Sequence, residues 1–327
     1  MPPESLPLIS VITPSYNQAQ FLERTIRSVL EQDYPRLEYI IMDGGSTDGS
    51  PDIIRRYADR LAYWVSEPDG GQAQAINRGF ARATGELLTW INSDDLLLPG
   101  ALAAAARAYT AHPSALLLGD ATHFSPADDL AFEVHAHDVT LANMVTNQRR
   151  GWAWNQPGTF IPHSVWERLG LLDESLRYVF DREWMCRALS YGVPLLYLRQ
   201  PVAAFRLHTG SKSVGEVTKW GKEQLRVTER YAQDLPEWQP NDIRAAQELT
   251  DVVFYTSLFF IQGWDRRAAL AHLRAAVRQQ PRVLLAPHFW QLGLRAAMPL
   301  LLVRLARQLW ISARRKRPAA YAHWLLQ

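Results

Sequence analysis

Two periods of hydrophobicity alternate along the first 120 residues. Apolar, β-prone runs fall at Leu8–Thr13, Leu37–Met42, Leu61–Ser66, Leu87–Ile91 and Leu116–Gly119, starting every 24 to 29 residues. Between them the spacing turns helical. Phe21, Leu22, Ile26, Val29 and Leu30 share one face, and Gln72–Ala83 and Pro99–Ala111 supply two more helices. Ser50 followed by Pro51 opens another, with a hydroxyl to cap the first turn and a proline whose missing N–H is no loss there. Strand, helix and strand in steady succession predict βαβ units. The expected fold is α/β, a mostly parallel central sheet with helices on both faces.

Past Gly119 the pattern becomes irregular. Residues 120–160 hold polar loops and the piece Trp152-Ala153-Trp154-Asn155-Gln156-Pro157. Ser164-Val165-Trp166-Glu167 reads as a capping box opening a short helix. Asp181–Tyr191 predicts a helix, and Leu195–Tyr197 and Val202–Leu207 predict strands. From about Val214 the chain is helical: 214–234, 242–263 with Asn241 capping, and 266–280 with Asp265 capping. This suggests one unit over 1–213, in halves 1–119 and 120–213, followed by a helical region 214–327.

Composition changes the picture only where it is uneven. With 47% hydrophobic and 21% charged residues in 327, the chain is ordinary globular protein, not disordered, collagenous or coiled coil. Its net charge of +2 hides a split, because residues 266–327 hold 12 of the 35 basic residues and none of the 33 acidic ones. An acidic body with a basic tail suggests two tasks. The lone Cys186 excludes an internal disulfide and a cysteine zinc cluster, and fits a reducing compartment. The N-terminus lacks a charged, then apolar, leader pattern, and there is no run of about 18 apolar residues, so the expectation is a cytoplasmic protein, soluble or surface-attached.

In an open parallel sheet, ligands bind beyond the carboxyl ends of the strands. Those ends are followed by Thr13-Pro14-Ser15-Tyr16-Asn17, Asp43-Gly44-Gly45-Ser46-Thr47-Asp48-Gly49, Glu67-Pro68-Asp69-Gly70-Gly71-Gln72 and Asn92-Ser93-Asp94-Asp95. One such loop is turn chemistry; four on one edge predict a site. No G-x-G-x-x-G follows a strand and no G-x-x-x-x-G-K-[ST] occurs, which argues against a dinucleotide dehydrogenase and a P-loop enzyme. Carboxylates at this edge would repel a diphosphate unless a hard cation lay between. The oxygens of Asn92, Asp94 and Asp95 suit Mg²⁺ or Mn²⁺. The bland alternative is that they cap the helix beginning near Pro99.

Thr13-Pro14-Ser15-Tyr16-Asn17-Gln18, Met42-Asp43-Gly44-Gly45-Ser46-Thr47-Asp48-Gly49 and Trp90-Ile91-Asn92-Ser93-Asp94-Asp95, in this order, resemble the family 2 glycosyltransferases of the GT-A fold. The likeness runs from about Leu8 to His208. It implies transfer of a sugar from a nucleoside diphosphate donor with inversion at the anomeric carbon, assisted by a divalent metal. It places the nucleoside near Thr13, Ser15, Tyr16 and Asn17. Asp43 would accept a hydrogen bond from the base, which suits the N3–H of uracil or thymine. The family often has a second aspartate where this chain has Gly44. Asp69 and Gln72 fall along the donor, with Asn77 supporting their loop. Asn92-Ser93-Asp94 stands at the D-x-D signature, which makes Asp94 the principal metal ligand and Asp95 a residue positioning the donor sugar.

An inverting transfer also needs a carboxylate on the acceptor side, and so from a different part of the chain. The segment Gly170–Trp184 matches the family's layout, with Asp181 at the base position and Glu183 as the fallback; a helix-capping role for Asp181 is the competing reading. Arg206-Leu207-His208-Thr209-Gly210-Ser211-Lys212 resembles the family's R-x-H-x-G-S segment. By that likeness His208 completes the metal shell, and Arg206 or Lys212 offsets charge on the departing diphosphate. Gln156 would face donor or acceptor, and Trp152 and Trp154 would stack on a sugar or sit in the core. His135 and His137, with no acid read nearby, are expected at the surface.

The tail over 281–327 mixes leucines with arginines. On a helix beginning near Pro299, Leu302, Leu305, Ala306, Leu309 and Trp310 group together, opposite Arg304, Arg307 and Arg315. That pattern fits a helix lying in an anionic membrane interface, or one packed on the catalytic domain with a solvated charged face. Nucleic acid is disfavoured by the apolar content. The expected partners are a UDP- or dTDP-sugar donor, a saccharide or lipid-linked acceptor, and an anionic membrane surface. The competing classes are a non-catalytic nucleotide-sugar-binding or membrane scaffold module, and a nucleotidyltransferase that attacks phosphorus.

Overall fold

The computed structural model describes residues 6–146, 154–208, 217–259, 266–315 and 319–326. Its first half is the expected succession: β1 (Ile9–Ser15), α1 (Ala19–Leu30), β2 (Leu37–Asp43), α2 (Ser50–Arg56), β3 (Tyr63–Ser66), α3 (Gln72–Phe80) and β4 (Leu87–Trp90). These strands pair in parallel in the order β3-β2-β1-β4. Alternation assigns each residue to a face. Val11, Tyr39, Ile41 and Leu87 point toward α1, meeting Leu22, Ile26 and Val29. Ile12, Ile40, Met42 and Leu88 point the other way, toward Ile76 and Phe80 of α3. With both faces covered, the strands read as nearly unbroken apolar runs. Gly79 lets α3 approach β1 closely, since a Cβ there would lie 2.7 Å from Cγ2 of Ile12.

The second half departs from a simple βαβ repeat. A two-residue strand β5 (Leu96–Leu97) and α4 (Ala101–Ala111) lead into β6 (Leu116–Ser125), which runs on past the expected end at Gly119. A hairpin partner, β7 (Leu130–Val134), α5 (Leu141–Thr146), β8 (Thr159–Pro162), α6 (His163–Leu169), α7 (Phe180–Ser190) and β9 (Leu195–Arg206) follow. The expected strands at 195–197 and 202–207 are one strand, bridged over an irregularity opposite Asp120. β8 runs antiparallel between β4 and β6, and the full order is β3-β2-β1-β4-β8-β6-β9-β5 with β7 beside β6. Ser164 does not cap α6, which starts at His163 directly after Pro162 ends β8.

The remaining helices are α8 (Val217–Ala232), α9 (Pro240–Phe259), α10 (Arg266–Gln279), α11 (Pro287–Ala297), α12 (Leu300–Arg315) and α13 (Ala322–Leu326). Asn241 lies inside the first turn of α9 and does not precede it; Asp265 lies outside the described residues. Val227, Tyr231, Leu235 and Ile243 join the same hydrophobic cluster as α3, α6 and α7. Val252, Ala269, Leu273, Phe289, Leu292 and Ala296 form a separate core among α9, α10 and α11. The chain then returns to the sheet, where Ala319 and Leu325 fill a cluster with Leu96, Leu98, Phe124 and Ala204. Among the described residues no single helix is long and apolar enough to cross a membrane.

Candidate active site

The carboxyl ends of β1 to β4 meet in a network of short polar contacts. In the loop after β2, the buried Asp43 carboxylate accepts hydrogen bonds from the Ser46 amide (2.9 Å), the Ser46 hydroxyl (2.6 Å) and the Ser66 hydroxyl (2.6 Å). Three donors hold this carboxylate still and leave room for about one more at its two oxygens. Asn17, with φ at +51°, receives the Thr47 amide on its side-chain oxygen (2.9 Å) and locks the first loop to the second. The Ser15 hydroxyl is buried without a hydrogen-bond partner, whereas Tyr16 is exposed. Thr13 is placed differently from the expectation. It is wholly buried and its hydroxyl pairs with that of Tyr39 (2.9 Å), because β1 continues through Ser15 and turns this side chain into the core.

Gly44 explains the position of Asp69. A Cβ at residue 44 would lie 3.0 Å from the Asp69 carboxylate, so Asp69 uses the space that a side chain there would need. Asp69 also accepts the Gly71 amide at 2.7 Å, which fixes the start of α3. One turn on, Asn77 donates to the Leu172 carbonyl and the Glu174 carboxylate and accepts the Leu172 amide (3.1, 2.9 and 2.9 Å). Gln74 donates to Glu174 as well (3.0 Å). The helix α3 is thereby bound to the segment leading into α7. Leu172 and Glu174 gave no signal of this in the sequence, since the clasp joins positions 95 and 97 residues from Asn77.

After β4 the contacts form a chain. Gln72 Nε2 donates to Asn92 Oδ1 (2.7 Å), and Asn92 Nδ2 donates to Asp95 (3.1 Å). Asp95 accepts the Arg206 amide (3.0 Å), and Arg206 Nε donates to the Asp94 carbonyl (2.9 Å). His208 Nε2 stands 3.0 Å from Asp94 Oδ2. Burial, reinforced by the neighbouring Asp94 charge, holds the Asp95 carboxyl well above the usual carboxylate range. Burial and then the nearby Arg24 lower Arg206 to about 10, so it stays cationic at neutral pH. Two ligands at right angles on an octahedral Mg²⁺ or Mn²⁺, each about 2.1 Å from the ion, are about 3 Å apart. The Asp94–His208 pair has that spacing, and the oxygen and imidazole donors suit such an ion.

Phe21 and Arg24 belong to this edge although periodicity assigns α1 to packing. The Phe21 ring lies 4.6 Å from that of His208 and 4.8 Å from the Arg206 guanidinium. Arg24 donates to the Trp324 carbonyl (2.6 Å) and faces the Trp324 ring.

Asp181 opens α7, half-buried, with one carboxylate oxygen accepting the Arg182 amide (2.7 Å). Burial raises it to about 6. Glu183 is not an alternative base. It is buried and engaged by Arg187, Arg230 and Tyr231, so no acceptor hydroxyl has access to it. The buried Arg182 donates to the Met144 and Gln224 carbonyls and to Thr228, anchoring α7 to α5 and α8.

Gln156 donates to the Trp90 carbonyl (3.0 Å), and Trp154 is a core residue donating to Thr159. Trp152, Lys212 and the rest of 209–216 lie outside the described residues. His135 is exposed but not isolated. Asp120, distant in sequence, meets it at 2.8 Å and raises its pKa. Between α9 and α10, Glu248, Asp251 and His272 bring their ligating atoms within 4.8 Å, with His272 hydrogen-bonded to Glu248.

Residues 10–169 match the family model for Glycosyl transferase family 2. That stretch, just under half of the chain, is similar to glycosyl transferase family 2. The matched segment holds the loops after β1 to β4 and stops short of Asp181, Arg206 and His208. The putative teichuronic acid biosynthesis glycosyltransferase TuaG of Bacillus subtilis is 44% identical over 92 residues, 27% of this chain and 36% of TuaG. The chain thus spans between about a third and somewhat over half of the length of the first curated relatives it matches, 35–56%. TarS 1–349 of S. aureus, in complex with UDP-GlcNAc, superposes with a TM-score of 0.58 at 16% identity, covering 95% of this chain and 93% of that one. The mannosyltransferase PcManGT of Pyrobaculum calidifontis, in complex with GDP-Man and Mn²⁺, gives 0.54 at 21% identity, covering 94% and 88%. At such identities the likeness establishes the fold, which is GT-A.

Proposed function

We propose that this chain is a metal-assisted, inverting glycosyltransferase. It moves a sugar from a uridine or thymidine diphosphate donor to a hydroxyl of a saccharide or lipid-linked acceptor, in cell-surface polysaccharide or glycolipid synthesis. The observation that carries the reading is the Asp94–His208 pair, 3.0 Å apart at the end of the chain of contacts that starts at Gln72. Nucleotide sugars in TarS and PcManGT and the teichuronic acid assignment of TuaG support it.

Asp94 and His208 would hold Mg²⁺ or Mn²⁺, which supplies positive charge against the donor's diphosphate. Ser15, Tyr16, Asn17 and Asp43 receive the nucleoside, Asp69 and Gln72 lie along the donor, and Asp95, steadied by Asn92, positions the sugar. Arg206 adds a fixed cation where negative charge grows on the leaving group. Asp181 takes the proton of the acceptor hydroxyl as its oxygen bonds to the anomeric carbon. The bond from that carbon to the diphosphate breaks on the opposite face, and nucleoside diphosphate departs. A carboxylate raised to about 6 is mostly ionised at neutral pH, yet a stronger proton acceptor than an exposed aspartate. In this reading residues 1–213 perform the chemistry, residues 214–327 form a helical adjunct, and the enzyme works in the cytoplasm.

The test is a panel of nucleotide sugars screened with Mn²⁺ for thermal stabilisation, followed by product analysis with the best donor. Free nucleoside diphosphate and inverted anomeric configuration are expected. Pyrophosphate as product points instead to attack on phosphorus. Donor binding without turnover, across a range of saccharide and lipid-linked acceptors, assigns a binding module.

A further inference from the structure

We propose that the outward face of α12, with exposed residues of α11 beside it in sequence, docks on an anionic lipid bilayer. The purpose of this surface rests on the proposed lipid-linked acceptor; its existence rests on geometry and charge. The face that α12 turns to the protein is not the one that sequence periodicity selects. Val303 and Ile311 are buried, Arg307 donates to Asp128 (2.8 Å), Trp310 meets Phe132 edge-on (5.4 Å), and the Arg314 guanidinium lies 4.1 Å from the Phe132 ring. Asp128 and Phe132 flank and lie on β7, so the sheet recruits the Arg/Trp side of the helix. The leucines are left outside.

Leu301, Leu302, Leu305 and Leu309 are 76%, 50%, 51% and 63% exposed. Spacings of three and four place them on one side of the helix. Trp290 and Leu294, four apart on α11, are 57% and 72% exposed. A row of large apolar side chains held open by contacts on the opposite face marks an interaction surface. The charge decides the occupant. Residues 266–327 contain 12 basic residues and no acidic one, and Arg304 is exposed beside the leucines. A second copy of this chain would bring the same positive charge against it. Anionic headgroups attract the arginines while the acyl boundary takes the leucines. Neither helix alone is long and apolar enough to span; the two pass by length and composition only as a pair bent by 113°, and the contacts of α12 with Asp128 and Phe132 favour its lying in the interface.

The test is co-sedimentation of the full chain with vesicles of phosphatidylcholine alone or mixed with phosphatidylglycerol, beside the double variant Leu305→Asp/Leu309→Asp. Wild type should pellet with the anionic vesicles and much less with neutral ones. The variant should lose binding by roughly tenfold or more. Its melting temperature and its thermal stabilisation by donor should match wild type, since these side chains are open to solvent. Wild type remaining in the supernatant with anionic vesicles, or the variant pelleting equally, overturns the proposal. So does a wild-type dimer in sedimentation velocity that the variant splits, without vesicle binding. Failure of the transfer reading shows up separately, as no donor stabilisation in either protein.

Discussion

Asp181 carries the proposed base role, and burial sets its proton affinity. Its folded value near 6 lies above the ordinary 3.8, so the neutral form is favoured by folding. The sign follows: this group's contribution to stability is fully present below pH 3.8 and is lost as pH rises through 6. At neutral pH its ionised form therefore costs the fold up to about 3 kcal/mol. Asp181→Asn should raise the melting temperature at pH 7.5 while lowering transfer by roughly a hundredfold or more, with donor binding unchanged. In the wild type, kcat/KM should climb with pH to a plateau above about 6, read from initial rates across pH at constant ionic strength. A second residue-scale prediction concerns Gly44. A methyl there would press on the Asp69 carboxylate at 3.0 Å. Gly44→Ala should weaken donor binding several-fold, measured by calorimetry, with little change in melting temperature. The sequence displays these residues because strand ends in a parallel sheet converge by geometry. It does not show that Thr13 turns inward to Tyr39, or that Glu183 is locked by two arginines and a tyrosine, because both depend on partners brought from elsewhere in the chain.

At the scale of elements, α3 joins the two halves of the site. Its glycine lies against β1, its asparagine clasps the loop before α7, and its first residue reaches Asn92. Gly79→Ala places a Cβ about where Ile12 already is, and should destabilise the protein by roughly 1–3 kcal/mol in urea titration. Asn77→Ala leaves the buried Leu172 amide without its acceptor, a loss on the order of 1–3 kcal/mol. Because it also frees the 172–174 segment, kcat should fall more than donor affinity, a split that pre-steady-state and binding measurements resolve. Elements with strong internal periodicity, β1 to β4 and α1 to α4, are readable in the sequence within a few residues. Those defined by pairing across the fold are not. β5 is two residues long, β7 exists as the partner of β6, and β8 is a four-residue strand whose neighbours come from both halves.

For the whole molecule, the division of charge resolves into a spatial arrangement. The basic tail gives part of its charge back to the acidic body through Arg307 and Asp128, and keeps the rest with an exposed row of leucines. The amphipathic pattern of α12 was legible, but its orientation was not, because an arginine that stacks on Phe132 packs inward as readily as a leucine. The helix α13 carries a different consequence. Leu325 fills the space among Leu96, Leu98, Phe124 and Ala204, and the Trp324 carbonyl holds Arg24, 300 residues upstream. A ribosome must therefore translate the entire helical region before the strands near the N-terminal half acquire their last packing partner. Until then Leu96, Leu98 and Phe124 lack that cover, the kind of transiently exposed apolar surface on which incompletely folded chains aggregate.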